Sequence, residues 1–554
     1  MNTEKVGFLK SGTPWVWLNA AAVSVSMIMV VGLLLLIAAR GLGHFWPKTI
    51  WEIEYQENDN TAVLIGERAK EETVPAKQLI ASGLHHDFEE EFVERTLLKI
   101  GNRDVYGVDF KLIVAPGELA ASKPEDVIVF ERTQWGNFYG FLLAIEESGE
   151  RVDISNEQLW EELKLRLQRV EELRANIHEI EKYDIGKINY KIEKLRLKER
   201  RLELSGIEDQ KALSKISSDR KKLDQEYAVL KTELERLYKK ISRDRVLMKV
   251  MTGQEKFIKL ADVIKATKPN SMSVGEKVVH YFANLKDFIT DDPREANTEG
   301  GIFPAIFGTV MMVLLMSIIV TPFGVVAAIY LREYAKQGFI TRLVRISVNN
   351  LAGVPSIVYG VFGLGFFVYF VGGSIDELFY PEALPSPTFG SGGLLWASLT
   401  LALLTVPVVI VATEEGLARI PISIREGSLA LGATKAETLW RTVIPMASPA
   451  MMTGLILAVA RAAGEVAPLM LVGAVKLAPS LPVDLNAPFL HLERKFMHLG
   501  FHIYDVGFQS PNVEAARPLV YATALILVAV IILLNLSAIY IRNHLREKYR
   551  TMEH

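Results

Sequence analysis

The sequence contains no cysteine. That excludes disulfide bridges, thiolate metal sites and thiol catalysis, and it leaves the compartment open, because a chain without thiols is stable in any redox setting. Net charge is nearly absent as well: 62 Lys and Arg face 65 Asp and Glu, a balance of −3. With no positive excess there is no electrostatic basis for nucleic-acid binding by the chain as a whole. What the chain has in quantity is apolar surface. Half of its 554 residues are hydrophobic, yet 23% are charged. A soluble enzyme of this size is rarely so apolar, and a pure membrane bundle would carry less charge. The two populations must be segregated along the chain, in roughly three or four units at ~150 residues each.

A helix needs about 20 consecutive apolar residues to cross a bilayer core. Residues 16–39 meet that requirement between Lys5/Lys10 and Arg40. The run exceeds the ~7–15 residues of a signal peptide's hydrophobic region and reads as a retained anchor. Further runs lie at about 302–331, 343–371, 394–413, 448–475 and 518–541, which makes six spans. Pro322 and Pro407 fall inside two of them, as bundles tolerate when neighbours satisfy the freed carbonyls. Arg332, Lys336, Arg342 and Arg345 follow the second span; Arg419, Arg425, Lys435 and Arg441 follow the fourth; Arg542, Arg546, Lys548 and Arg550 follow the sixth. The loop after the third has Asp376, Glu377 and Glu382 and no Lys or Arg. By the positive-inside rule both termini are cytoplasmic and segment 41–300 lies outside.

That outer segment divides by pattern. Residues 41–155 contain short β-type stretches such as Val108–Leu112, and the runs 127–130 and 138–145 flank a Gln134-Trp135-Gly136-Asn137 turn. Gly136 and Gly140 are read as hairpin glycines, since no helix start follows them. Residues 156–250 differ. The stretch 156–247 has no Pro, is dense in Glu, Lys, Arg and Leu, and keeps heptad spacing. One stripe runs from Leu159, Leu163 and Val170 to Ile188, Ile192 and Leu195, and another from Leu213 and Ile216 through Leu223 and Tyr227 to Leu237 and Ile241, with Ser205-Gly206 as the turn. Such spacing predicts an antiparallel coiled-coil hairpin with solvated charged faces. Residues 251–300 read as a linker, 301–541 as a core of five further spans, and 542–554 as a tail.

Within that core, loop 413–447 has a distinctive shape. Ser423 with Glu426 and Thr434 with Glu437 have the spacing of two capping boxes, Gly432 sits where a helix end needs positive φ, and Pro445 marks a stop before the fifth span. This predicts a helix–Gly–helix elbow projecting from the bundle, the shape a rigid mechanical linkage needs. The loop resembles the EAA motif of ABC importer permeases: Glu-Ala-Ala, three residues, Gly, nine residues, Ile-x-Leu-Pro. Glu426, Gly432, Ile444 and Pro445 match in register; Gly427, Ser428 and Thr442 depart from the pattern. Asn350 to Gly360, with Ser356, then Thr413-Glu414-Glu415-Gly-Leu, and Ala460-Arg461-Ala-Ala-Gly-Glu465-Val-Ala-Pro-Leu, are similar to the PstA family of phosphate permeases. The resemblance covers roughly 299–554 and the first span.

The resemblance implies a mainly α, six-helix type I ABC importer permease in the cell inner membrane, enlarged by the periplasmic β-rich subdomain and coiled-coil hairpin after the first span. It implies a PstC-like permease, a PstB-like ATPase dimer and a periplasmic phosphate-binding protein as partners, and no enzymatic activity of the chain's own. In that family the elbow seats in a cleft of the ATPase, which assigns Glu426, Gly432, Ala433, Ile444 and Pro445 to coupling. No G-x-x-x-x-G-K-[ST] sequence is present, so ATP and Mg would be bound by a partner chain. Asn350, Ser356, Arg461 and Glu465 are the expected substrate-pathway residues. Arg461 and Glu465, four apart, would share one helix face, with Gly464 admitting a neighbouring helix and Pro468 bending the span. A permease for sulfate, molybdate or another oxyanion stays open, as does a membrane-anchored coiled-coil scaffold. His491, His498 and His502 lack a third ligand at fixed spacing and predict no metal site; Glu414 and Glu415, beside Arg419, read as structural.

Overall fold

The computed structural model describes residues 13–57, 60–81, 91–114, 118–206, 209–510 and 513–550. Lys5 and Lys10, and the side chains of Arg546, Lys548 and Arg550, lie outside them. Among the described residues, six helices are long and apolar enough to cross a membrane: Pro14–Phe45, Phe303–Tyr334, Ser356–Phe379, Leu394–Ala418, Lys435–Gly464 and Ala516–His544. The fourth is the most buried, whereas the apolar window of the first is not buried at all. It lies along the sixth, close enough that a Cβ on Gly41 would meet the Tyr521 carbonyl oxygen at 2.8 Å. Met312, Met316, Leu401, Leu404, Ala458 and Ala462 fill the centre of the bundle. Small residues let the backbones approach there.

Two spans differ from the sequence reading. The third run, 343–371, is cut at Pro355: residues Phe339–Leu351 form a separate amphipathic helix, and the span begins at Ser356. Proline removes a donor and forces its neighbour out of helical geometry, so an apolar run need not be one helix. The fifth run, 448–475, breaks likewise. Its helix ends at Gly464, and a short helix, Ala467–Val472, carries Pro468 at its start.

The outer segment folds around two antiparallel sheets. The first has the order β4-β3-β2-β1-β5, with β1 Ile50–Glu57, β2 Asn60–Pro75, β3 Phe92–Lys99, β4 Phe110–Val114 and β5 Glu118–Ser122. Alternation puts Ile53, Tyr55, Leu64, Leu98 and Ile113 in one cluster. In the second, β6 (Ile128–Arg132) pairs with β7 (Phe138–Glu147), the short β8 (Glu150–Arg151) lies beside β7, and β9 (Asp244–Lys249), β10 (Glu255–Lys259) and β11 (Val263–Thr267) complete the order β10-β9-β7-β6-β11. The 133–137 turn has positive φ at Trp135 and Gly136, and Arg132 donates to both of their carbonyls.

Residues 251–300 are therefore not a linker. They supply two strands to this sheet, then helix Val274–Thr290, whose Phe288 packs with Phe45, Ile302, Met497 and Leu499 at the joint with the membrane core. β10 forms a hairpin with β9 just before it, whereas β11 pairs with the distant β6, a contact that leaves no local signal and lets the mixed polar composition read as linker.

The helical insertion leaves the sheet after β8 and returns into β9. Leu159–Glu179 continues through a π turn at 180–185 into Gly186–Ser205, and Gln210–Ile241 packs back along it. Leu163, Val170, Ile177, Leu237 and Ile241 share a core with Phe130, Phe138 and Met248 of the sheet. Farther out, Ile188, Ile216 and Leu223 stay buried, Ile192, Leu195 and Leu213 are half-buried, and Tyr227 is exposed. The root is also ionic: the fully buried Asp244 carboxylate accepts from Arg166 at 2.9 Å and Arg169 at 2.7 Å, with Arg243 at 2.8 Å. The hairpin is thus anchored at its root by apolar packing as well as by charge. Leu163→Ala should lower stability by about 2–5 kcal/mol, while truncating the exposed Leu165 should change it by no more than about 0.5 kcal/mol, read by thermal unfolding of the solubilised protein.

Candidate functional site: the elbow and the broken fifth span

Loop 419–443 forms the elbow on the side of the membrane core opposite the outer segment. Its first arm is Ile422–Ala430; its second starts at Lys435 and runs on without interruption to Gly464. The corner is a Schellman turn: Ala433 N–H donates to Ser428 O (3.3 Å) and Gly432 N–H to Leu429 O (3.0 Å). Gly432 has φ +88°, and a Cβ built on it meets nothing within 4 Å. Conformation, not crowding, demands glycine there. Ser428 Oγ and Thr438 Oγ1, 2.9 Å apart, pin the two arms together.

Of the two expected capping boxes, one forms. Thr434 accepts from Glu437 N–H at 3.2 Å, while the Glu437 carboxylate accepts from Thr434 N–H at 2.9 Å. Ser423 and Glu426 make no cap. The first arm starts two residues earlier than the box requires, with Pro421 at its cap and no side-chain cap bond. Pro445 does not end the second arm either. A π turn at 439–443 widens the helix just before it, which accommodates the missing donor and the ring inside a continuous rod. Ile444 and Pro445 are half-buried, as is Ala433, whereas Glu426 is exposed.

The elbow is braced against the ends of two spans. Arg425 donates at 2.8 Å to the carbonyls of Leu417 and Ile420, at the orphaned end of the fourth span, and pairs with Glu333 at 2.9 Å. The Lys435 ammonium bonds the Glu333 carbonyl and sits 4.7 Å from the Tyr334 ring centre, at the end of the second span. Leu417, Ile420, Leu439 and Val443 close the seam beneath. Glu414 pairs with Arg345 at 3.1 Å instead of with Arg419. The outer surface of the elbow, by contrast, is apolar: Leu431 is 91% and Trp440 69% exposed, with Ile422 and Leu429 alongside. Sequence reading passed over Leu431 and Trp440, although an apolar side chain directly before the turn glycine was there to be noticed.

Arg461 and Glu465 do come together, Nε to Oε1 at 3.7 Å, with side chains 32% and 20% exposed. They do not share a helix face: Glu465 lies just beyond the helix end in extended backbone (φ −77°, ψ 137°) and folds back to the arginine. Nor does Gly464 admit a neighbour, since nothing lies within 4 Å of a Cβ there. The close approach is one turn on, where a Cβ on Gly360 of the third span would be 2.7 Å from Pro468 Cα. That contact carries the helix of Ser356, half-buried, against the break. Asn350 is exposed on the preceding helix and is not drawn in. Irregular backbone at membrane depth persists only when buried in protein or lining a wet cavity.

The three histidines take separate partners. His491 bonds Asp484 and Glu493, His498 caps the Leu499–Tyr504 helix, and His502 faces Thr523. Burial lowers His498 to about 3 and His502 to about 4, so both are neutral imidazoles at physiological pH. A further cavity of about 750 Å³ lies at the joint of the outer segment and the core, lined by Lys99, Arg103, Asp109, Lys265, Arg294 and Glu299, among others. Burial raises the Asp109 and Glu299 carboxyls above the usual carboxylate range.

Residues 320–551 match the family described as binding-protein-dependent transport system inner membrane component. Relatives include "Probable ABC transporter permease protein YqgH" of Bacillus subtilis (strain 168), 31% identical over 36% of this chain and 62% of that protein. "Phosphate transport system permease protein PstA 1" of Mycobacterium tuberculosis (strain CDC 1551 / Oshkosh) is 37% identical over 31% of this chain and 52% of its own length. The chain thus spans little more than half of these relatives. Among solved structures, the MetNI methionine ABC transporter in an inward-facing conformation overlays 44% of this chain and 94% of its own at 20% identity, a loose overlap with a TM-score of 0.33.

The cap geometry predicts that Thr434→Ala weakens the second arm by about 1 kcal/mol and speeds amide exchange at 435–438, whereas Ser423→Ala changes neither. Hydrogen-exchange mass spectrometry reads both.

Proposed function

We propose that the chain is the permease subunit of an ATP-driven importer for inorganic phosphate. It would lie multi-pass in the cell inner membrane, with both termini in the cytoplasm and segment 41–300 in the periplasm. The observation that carries this reading is the elbow: a Gly432 corner at EAA-like spacing, braced on two spans and presenting bare apolar side chains. Such a surface suits a cleft in a PstB-like ATPase dimer, whose closure would push on Arg425 and Lys435 and so on the ends of the second and fourth spans. ATP and Mg would be bound there. A PstC-like permease would complete the translocation path, and a periplasmic binding protein would deliver the anion.

Phosphate is the substrate named for the PstA relatives, and YqgH, which carries no substrate in its name, keeps another oxyanion such as sulfate or molybdate as the second reading. Labelled phosphate uptake by cells expressing the complex, with excess sulfate as competitor, decides between them. Uptake should resist sulfate; equal inhibition by sulfate and unlabelled phosphate overturns the phosphate assignment. A β-branched residue at φ +88° costs about 1–2 kcal/mol and redirects the corner. Gly432→Val should therefore abolish uptake with normal membrane insertion, and Gly432→Asn, which tolerates that φ, should retain most of it.

At the break in the fifth span, Arg461 would offer its planar guanidinium to the anion while Glu465 holds it in place and keeps the resting pathway from trapping substrate. An ionised side chain costs about 2.5–3.5 kcal/mol at a helix centre on insertion scales, so neither is there by default. Arg461→Gln should assemble normally and abolish uptake. The double variant Arg461→Gln, Glu465→Gln leaves no unpaired charge; if it transports at the parent rate, the pair serves packing alone.

A further inference from the structure

Helix Gly186–Ser205 of the outer hairpin does not project freely from its sheet. With the π turn that precedes it, it crosses the membrane core and touches each of the three connections on that side. Just before it, in the π turn, Lys182 pairs with Asp292, ahead of the second span, at 2.8 Å. In its first half, the Tyr190 hydroxyl donates to the Ala487 carbonyl, Lys194 reaches the same oxygen at 3.4 Å, and the Tyr190 ring meets His491 edge-on, all between the fifth and sixth spans. Near its end, Arg201 pairs with Glu382, between the third and fourth spans. At ~1.5 Å per residue, 182 and 201 are roughly 30 Å apart, so one straight element spaces all three connections.

The two ends of the insertion are held very differently. Its root shares the buried core of the second sheet and the Asp244 network. Its far contacts are few and polar, and the cations are wet: Arg201 is 64% exposed, and Lys182 and Asp292 are both solvent-accessible. Exposed ion pairs of this kind contribute little to stability and separate readily. Glu382 is the exception on the far side, only 4% exposed. Burial pushes its carboxyl up, and the Arg201 guanidinium outweighs that and holds it below the usual range. One of its oxygens, Oε2, has no hydrogen-bond partner. A buried carboxylate that loses its cation is left uncompensated, so release of Arg201 favours rearrangement of the 380–393 connection that brings Glu382 to water.

We propose that this helix is a releasable latch across the outer mouth of the translocation path: seated, it holds the three connections together, and it lifts from Ala487 and Glu382 when the mouth opens. The proposal rests on the reading of the core as a permease, and its test is chosen to be separable from that reading. Because the chain has no cysteine, Tyr190→Cys with Ala487→Cys can be bridged by a short, cleavable bis-methanethiosulfonate without background. In the full complex with its ATPase, bridging should be efficient without nucleotide and several-fold lower once the ATPase is trapped with vanadate. Equal bridging in both states, or none in either, overturns the latch, and this comparison needs no transported substrate. Bridged complex should lose ATP-driven uptake and regain it with reductant; uptake at the unbridged rate also overturns the latch. Arg201→Gln should raise ATP hydrolysis in the absence of binding protein several-fold per assembled complex, and Arg201→Lys should restore the parent rate. A merely structural role would lower the yield of complex and leave that rate unchanged, which counts against the proposal. Failure of the import reading would show instead as a parent complex that takes up no anion.

Discussion

Hydrocarbon supplies no hydrogen-bond partners, so every backbone amide and carbonyl inside the bilayer must be satisfied within the chain. The rest of this structure follows from that constraint. It compels six helices. It also makes the interruption after Gly464 conspicuous, because the chain there abandons helical bonding beside an arginine and a glutamate. The third span meets the break through Gly360, where the lack of a side chain brings its backbone against Pro468.

Rigid spans need joints, and the two sides of the core solve this differently. On the elbow side the joint is local and stiff. A Schellman corner, one capping box, the Ser428–Thr438 bond and the Arg425 fork on the end of the fourth span give the elbow one orientation relative to the bundle. On the opposite side the connections are long, and the element that relates them comes from elsewhere in the chain: a helix rooted in a sheet and resting on the connections through exposed polar contacts. The two sides of the core thus differ in kind: bracing is stiff on one and the contacts are few and polar on the other.

The signals that could be read without coordinates are those in which a physical requirement acts on neighbouring residues. Apolar runs longer than a bilayer is thick show as spans; a glycine at the one position of a helix–turn–helix that needs positive φ shows as Gly432; heptad spacing shows as the hairpin. Where the local rule competed with context, it erred. Ser423 and Glu426 have capping-box spacing, but Pro421 starts the helix first. Pro445 looks like a stop, but a π turn absorbs it. Gly464 looks like a packing site, but the third span packs one turn farther on.

The sequence by itself determined the number of spans, the elbow and its corner, the presence of a β-rich segment with a helical hairpin, and the pairing of Arg461 with Glu465, because each depends on residues at most a few turns apart. Only the tertiary structure decided that residues 251–300 complete a sheet begun before the hairpin, that Arg425 and Lys435 grip Glu333, and that the hairpin lies across the core with Arg201 on Glu382. These contacts join residues separated by tens to hundreds of positions. Their cause is the packing of whole elements, and a charged or polar side chain carries no local mark of the distant partner it will meet.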